Sequence, residues 1–479
     1  MTSTTPAKRS TTDSEIGQAQ LARGLRNRHV QLIAIGGTIG VGLFLGSARA
    51  IQSAGPALLI NYAICGIVIF FMMRALGELM LHRPVAGSFA SYAEYYVGPF
   101  AGFLTGWSYW FMWVVTGMAE TTAIGIYVHY WLPEVPQWLS ALITLIVLYG
   151  ANLLAVRVFG EVEFWFALIK IVTIVGVIVI GVVILAFDVG PLGATAGVAN
   201  LWTHGGFLPF GVLGVILTLQ IVLFAYAGVE VIGMTAGEAE NPSRTLPRAT
   251  IGVIYRILLF YIGALLVVMC LVPWNQLSST ISPFVLVFEK IGISGAADLI
   301  NLVVITAAAS SCNSGVYSTG RMLYGLAVQG RAPAIFARVD RRRVPTAAVS
   351  SSVAMMLIGV ILNYIVPDDV FIWVTSVVVV LTLWTWIVIM LAHRGYRRAV
   401  REGRAVGVGF RMPLFPLANW AVIAFLLVAG VLLALDADTR IALFVAPVWL
   451  GLVALAYWRN RLCGRSQREA VAGPRPRQV

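Results

Sequence analysis

Long apolar runs separated by short polar stretches dominate the chain from Val30 onward. A helix that crosses a bilayer needs about 20 such residues, because the hydrocarbon core is about 30 Å thick. Twelve runs meet that measure. They fall at approximately Val30–Ser47, Pro56–Leu81, Phe100–Trp131, Trp138–Val156, Phe164–Phe187, Phe210–Ala236, Ile251–Trp274, Ala296–Tyr324, Ala347–Ile365, Val370–Leu391, Leu417–Ala434 and Ile441–Trp458. Apolar residues surround each run on all sides, which suits a lipid-exposed bundle rather than amphipathic helices on a soluble core. The pattern predicts an all-α integral membrane protein of twelve transmembrane helices.

Composition agrees with this. Of the 479 residues, 59% are hydrophobic and 11% charged, against about 25% charged in soluble domains. A water-soluble enzyme and a disordered chain are both excluded. The net charge of +12, from 33 basic and 21 acidic residues, would hint at nucleic acid in a soluble protein. In a membrane protein it reflects arginine-rich cytoplasmic loops, and no nucleic-acid partner is expected.

Placing the N-terminus inside gathers the basic residues on one side: Arg83, Arg157, Arg244, Arg248, Arg331, Arg338, Arg341 to Arg343, Arg394, Arg397, Arg398, Arg401, Arg404, Arg411 and those from Arg459 onward. The opposite loops hold Arg49, Lys290 and Arg440, with the acids Glu134, Asp188, Asp368, Asp369, Asp436 and Asp438. The expected organisation is a cytoplasmic basic tail over 1–29, a twelve-helix domain over 30–458, and a cytoplasmic basic tail over 459–479. The first stretch carries Lys8, Arg9, Arg23, Arg26 and Arg28 and no signal-peptide core, so the first run is expected to stay in the mature protein.

Cys65, Cys270, Cys312 and Cys463 lie too far apart for a metal or redox motif. The five histidines, His29, His82, His129, His204 and His393, fall at run ends or in loops and form no metal or nucleophilic constellation. No cofactor is expected, and an enzyme is disfavoured. A membrane receptor is also disfavoured, since the loops are short and no signalling domain is expected.

Two runs carry interruptions. The first contains Gly36-Gly37-Thr38-Ile39-Gly40-Val41-Gly42, four glycines in seven residues; each lowers helix stability by up to about 1 kcal/mol relative to alanine. Close packing through small residues is one reading. The sixth run is the second, with Phe224-Ala225-Tyr226-Ala227-Gly228-Val229-Glu230. Interrupted segments at matching places in two halves point to a transporter site, where unwound amides hold a carboxylate and unwound carbonyls an ammonium. A zwitterionic amino acid satisfies both.

Ionisable residues at membrane depth are functional candidates by default. Lys170 in the fifth run reads as a buried amine that exchanges a proton, or as a lysine snorkelling to the headgroups. Glu120 and Glu230 are candidates for substrate binding or coupling. Arg74 and Glu78, spaced i, i+4, read as a local ion pair. The polar patch Ser310-Ser311-Cys312-Asn313-Ser314 in the eighth run suits a wet cavity. Trp107, Tyr109, Trp110, Phe111 and Trp113 read as packing and interface anchors.

Several stretches together resemble a known family. These are Arg-Asn-Arg-His at Arg26 to His29, Gly-Thr-Ile-Gly-Val-Gly-Leu-Phe at Gly37 to Phe44, Arg-Ala-Leu-Gly-Glu-Leu at Arg74 to Leu79 and Gly-Glu-Ala-Glu-Asn-Pro at Gly237 to Pro242. From roughly Leu21 to Arg461 the chain resembles amino acid permeases of the amino acid–polyamine–organocation superfamily, in their bacterial amino-acid-transporter branch. The stretches Trp110 to Ala119, Phe159 to Ala167 and Ser310 to Leu323 are most similar to the D-serine/D-alanine/glycine transporters of that branch.

The resemblance implies a LeuT-like five-plus-five inverted repeat, about 30–187 and 210–391, with two additional helices over about 417–458. It implies that Val41 and Gly42, beside Gly40, offer amides to the substrate carboxylate. Thr38 or Ile39, with Phe224, Ala225 and Ala227, would offer carbonyls to the ammonium, and Phe224 would act as an aromatic gate. Lys170 would stand where proton-coupled relatives replace a sodium ion with a lysine, and Glu230 would join it in coupling. The expected activity is proton-driven symport of glycine, D-alanine, D-serine and L-alanine into the cytoplasm across the inner (plasma) membrane. The alternative is a permease or exchanger for another amino acid, such as proline or γ-aminobutyrate.

Overall fold

The computed structural model describes residues 40–83, 88–153, 156–231, 257–278, 281–293, 295–435 and 439–472, with residues 233, 247, 250–252 and 255. Among these the chain is helical, with no strand. A π-helical turn, Gly42–Gly46, leads into α1 (Ser47–Ala54), which bends at Gly55 into α2 (Leu58–His82). The sequence pattern ended the first run at Ser47. The helix instead continues to Ala54, because Ala48, Ala50, Ile51 and Ala54 are buried and only Arg49 is exposed.

The middle of the bundle is α4 (Pro99–His129), which packs lengthwise against α10 (Ala296–Val328) and α12 (Val370–Arg401). Pro99 opens α4 at its first position, where its missing N–H has no helical partner to lose. Around this trio lie α5 (Gln137–Asn152), α6 (Val156–Phe187), α7 (Gly211–Tyr226), α8 (Ala264–Leu271), α11 (Thr346–Ile365), α13 (Leu417–Leu435) and α14 (Ile441–Ala472). Among the described residues nine helical segments are long and apolar enough to cross a membrane, Gly42–His82 counting as one. Gln137–Asn152 and Leu258–Leu271 are shorter apolar helices. The protein is a multi-pass, all-helical membrane protein.

Two short helices lie outside the twelve expected spans: α3 (Ser88–Tyr96) and α9 (Pro283–Ile291). Helix α9 begins at Pro283, ends at Gly292 in the left-handed region (φ 78°), and buries Phe284 edge-on against Phe44. It is too short for the length criterion that found the spans.

Lipid tails are as apolar as leucine side chains, so helices associate through close packing and polar bonds rather than hydrophobicity. Both occur here. Gly117 of α4 faces Met356 of α11, and Gly359 of α11 faces Met118 of α4, a reciprocal fit of large against absent side chains. Asn363 donates to Thr122 (2.7 Å) and accepts from Gln137 (2.6 Å), and Asn152 donates to Asn313 (2.8 Å). Cys65, Cys270 and Cys312 are buried and unbridged, small hydrophobes as their setting implied.

The helix ends sort by charge. At one end Arg331 pairs with Glu94, Trp107 donates to the Arg331 carbonyl (3.1 Å), and Arg397 bonds Glu78 (2.8 Å). At the other, Trp131 donates to Asp298 (2.7 Å) and Lys290 to Gln276 (3.0 Å).

Two boundaries at the arginine-rich end differ from expectation. Helix α12 runs to Arg401 rather than Leu391, and α14 to Ala472, past the tail boundary placed at 459. In α12 the reason is visible: Arg394, Arg398 and Arg401 point outward while Ala392, His393, Tyr396 and Ala399 are buried, the spacing of an amphipathic helix. His393 is therefore a core residue and not a loop histidine. Its Nε2 meets Glu78, which also accepts the Met412 amide (3.2 Å).

The expected Arg74–Glu78 ion pair is replaced. Glu78 faces His393 and Arg397, while Arg74 donates to the Arg411 carbonyl and lies over the Phe410 ring at 3.6 Å. The i, i+4 spacing allowed a local pair, but better partners arrive from α12 and the segment after it.

Replacing Gly359 with leucine would drive a side chain into Met118, an overpacking change costing about 1–3 kcal/mol. The expected outcome is a lower melting temperature in detergent, with Gly359→Ala falling between; equal melting of Gly359→Leu and wild type would refute the close α4–α11 fit.

Candidate functional site

Helix α7 ends at Tyr226, and the next residues leave helical geometry: Ala227 is extended (φ −56°, ψ 139°) and Gly228 has φ 93°. Glycine alone takes that conformation without a steric penalty. A single 3₁₀ turn, Val229–Val231, follows. Opposite it, Gly40 is non-helical, and Gly42 opens the π-helical turn.

The two interruptions touch. A Cβ on Gly42 would lie 2.6 Å from the Ala225 Cα, so only glycine lets the two backbones approach this closely. A Cβ on Gly40 would collide with the Glu120 carboxylate and press on Ser311 Oγ (3.1 Å). The glycines that weaken the first run as a helix are thus the residues that admit its neighbours.

A hollow of about 20 Å³ lies at this crossing, lined by Gly40, Gly42, Met112, Trp113, Thr116, Glu120, Phe224, Ala225, Ala227, Gly228 and Ser311. It has room for about one water molecule. Of the residues expected to bind substrate, Gly40, Gly42, Glu120, Phe224, Ala225 and Ala227 meet here, and Val41 sits among them with its amide 3.4 Å from Glu120 Oε2. Thr38 and Ile39 lie outside the described residues.

Glu120 is buried, hydrogen-bonded to Ser311 and under the influence of the Lys170 charge. Lys170 is fully buried. Helix α6 starts at Val156, so Lys170 lies fourteen residues into it, about 21 Å at 1.5 Å per residue. The snorkelling alternative does not hold, because the side chain stays inside the bundle.

Glu230 is also fully buried but lies outside the lining. It accepts the Trp386 indole N–H (3.1 Å), and the Tyr109 hydroxyl stands between Glu230 and the Trp113 indole. Trp113 is the link between Glu230's neighbours and the hollow.

Two expected carbonyl ligands already carry a bond. The Ala225 carbonyl accepts from Tyr261 (2.9 Å), and the Phe224 carbonyl from the Ala227 amide (3.0 Å). A carbonyl has two lone pairs, so each keeps capacity for an ammonium. The Phe224 ring meets Phe371 edge-on at 6.1 Å, in the wall of the hollow.

Sequence reasoning missed Met112, Trp113 and Thr116 and assigned Trp113 to packing. The signal was available: residues 112, 113, 116 and 120 form one stripe of α4 ending on Glu120. Of the Ser310–Ser314 patch only Ser311 lines the hollow; Asn313 turns toward α5. Among the described residues no group of three His, Cys, Asp or Glu could hold a metal ion.

Comparison with known proteins decides the family. The profile of the family described as Amino acid permease matches residues 29–469. This chain belongs to the amino acid permease family. It is 50% identical over 439 residues to the uncharacterized amino acid permease YtnA of Bacillus subtilis (strain 168), covering 92% of this chain and 95% of that one. It is 48% identical to the probable threonine/serine transporter YbxG of the same organism, over 94% of this chain and 97% of that one. To the aromatic amino acid transport protein AroP of Escherichia coli (strain K12) it is 46% identical, over 91% and 95%. The permease is therefore an amino acid transporter and not an enzyme.

Gly42→Val would force apart the two crossing backbones. We expect amino acid uptake into liposomes to fall by about tenfold or more, since small displacements at a binding site carry such losses, while elution stays monodisperse. Undiminished uptake would show that the crossing does not form the site.

Proposed function

We propose that this permease carries small neutral amino acids, namely glycine, D-alanine, D-serine and L-alanine, into the cytoplasm together with protons. The reading rests above all on the crossing of two interrupted helices around a hollow that Trp113, Met112 and Phe224 keep small. A short side chain makes few contacts in such a space, so either hand is tolerated. The relationship to a probable threonine/serine transporter supports a small polar substrate.

The chemistry follows from one competition. The Val41 amide faces the Glu120 carboxylate. A substrate carboxylate needs that same amide, and a proton on Glu120 removes its rival. Lys170, whose charge acts on Glu120, responds to the change in that carboxylate's charge. Buried charges of opposite sign attract strongly where water is absent, so neither group changes charge without the other responding. Substrate and proton are thus loaded together, and the proton gradient drives uptake.

Opening and closing of the hollow to alternate sides completes the cycle. We read the architecture as twelve spans in a five-plus-five inverted repeat followed by α13 and α14. Support comes from the two shorter apolar helices and from the bend at Gly55, which separates α1 from α2. The arginine-rich end is cytoplasmic in this reading, with both termini on that side of the inner membrane.

In liposomes, uptake of labelled glycine is expected to quicken when the outside is acidified, and equal uptake with and without the gradient would remove proton coupling. Lys170→Ala should fold yet lose gradient-driven uptake by about tenfold or more, because the buried charge that acts on Glu120 is gone. A competition panel of L- and D-amino acids, including threonine, phenylalanine, proline and γ-aminobutyrate, tests the substrate. Stronger competition by phenylalanine, proline or γ-aminobutyrate than by alanine would replace the small-substrate reading. Uptake that needs preloaded amino acid would make the protein an exchanger.

A further inference from the structure

A second, larger concavity lies far from the crossing, at the arginine-rich end between α12 and the start of α13. Its volume is about 600 Å³, and Arg394, Arg398, Arg401, Glu402, Phe415 and Trp420 form its walls. A neighbouring concavity of about 460 Å³ shares Arg401, Phe415 and Pro416 with it and adds Arg397 and Arg411.

The charge here is unbalanced. Glu402, the one acid in either wall, is taken by Arg398 (2.8 Å) and Arg404. Arg397 is taken by Glu78. Among the described residues no carboxylate pairs with Arg394, Arg401 or Arg411. Arg394 and Arg401 are seven residues apart on α12, two turns of one face, about 10 Å at 1.5 Å per residue. A helix C-terminus accommodates basic residues in its last turn for its own sake. That accounts for Arg398 and Arg401, but not for Arg394 or Arg411.

The opposite wall is apolar and faces outward. Trp420 is 51% exposed and carries Arg394 over its ring at 3.8 Å; Leu417 beside it is 73% exposed. Tryptophan stacked under arginine at the end of a spanning helix marks the headgroup level of a bilayer. The concavity thus has cations where a phosphate would lie and bare apolar side chains where acyl chains would run.

We propose that this concavity is a binding site for the headgroup of an anionic phospholipid, with Arg394 and Arg401 holding the phosphate and Trp420 and Leu417 lying along the chains. A zwitterionic lipid brings its own cation and gains little from these arginines, so the site discriminates by charge.

The test uses the full-length protein in detergent, stripped of lipid and then offered phosphatidylglycerol or phosphatidylcholine, with bound lipid counted by native mass spectrometry. Wild type is expected to retain phosphatidylglycerol over phosphatidylcholine, and Arg394→Gln with Arg401→Gln to lose about fivefold for each arginine removed. Equal retention of the two lipids, or equal retention by the double variant, overturns the proposal. Displacement of the lipid by millimolar inorganic phosphate would assign the site to a free anion and overturn it as well. If the double variant does not elute as a single peak, Arg394→Lys with Arg401→Lys, which keeps the charge, is compared with Arg394→Gln alone. Retention must then follow charge, and loss in the lysine variant equal to that in the glutamine variant overturns the assignment.

Discussion

A bilayer offers no water to peptide groups, so any spanning segment that leaves helical geometry needs partners for its amides and carbonyls or must face a polar hollow. The contact between Gly42 and Ala225 meets this constraint, and the site depends on it. Two chains that each break alone would expose peptide groups to hydrocarbon. Broken side by side, they find partners in Glu120, which accepts the Val41 amide, and Tyr261, which donates to the Ala225 carbonyl, and they enclose the small space between them. The absence of a side chain at position 42 is therefore a condition of both the fold and the site.

The buried ionisable groups are arranged around that crossing in order of depth. Glu120 touches the interrupted backbone directly, Lys170 acts on Glu120 from α6, and Glu230 stands behind the wall with Trp386. A charge in such surroundings is tolerated only with a partner. The polar contacts that stabilise the site are then the same ones that a zwitterion would have to exchange. This joins the packing of the bundle to the recognition of an amino acid, the substrate class of the permease family.

At the arginine-rich end a separate polar core ties helices together. Glu78 of α2 gathers His393 and Arg397 of α12 and the Met412 amide, so the segment leading to α13 is fastened to the bundle. This fastening sets Phe415 and Trp420 opposite the outward arginines of α12 and shapes the concavity there. Salt-dependent surface charge and buried structural charge thus coexist within a few turns of one helix.

Apolar run length and composition pointed to an all-helical membrane protein and the two glycine-bearing interruptions to a site between them, while the family resemblance carried by short motifs supplied Gly40, Gly42, Phe224, Ala225 and Ala227 of the hollow. These are one-dimensional properties: a run is long enough to span or it is not, and a cluster of glycines weakens a helix wherever it sits. Contacts between distant segments are not of that kind. Arg74 could have paired with Glu78 on spacing alone, yet α12 brought His393 and Arg397 to it, and the extension of that helix past Leu391 put the histidine in the core. Trp113 looked like packing until Glu120, about two turns along the same stripe of α4, was set against Gly40. Which backbone an interrupted segment leans on, and which face of a uniformly apolar helix turns inward, is decided by helix packing, because apolar residues on every side leave no periodicity for the chain to read.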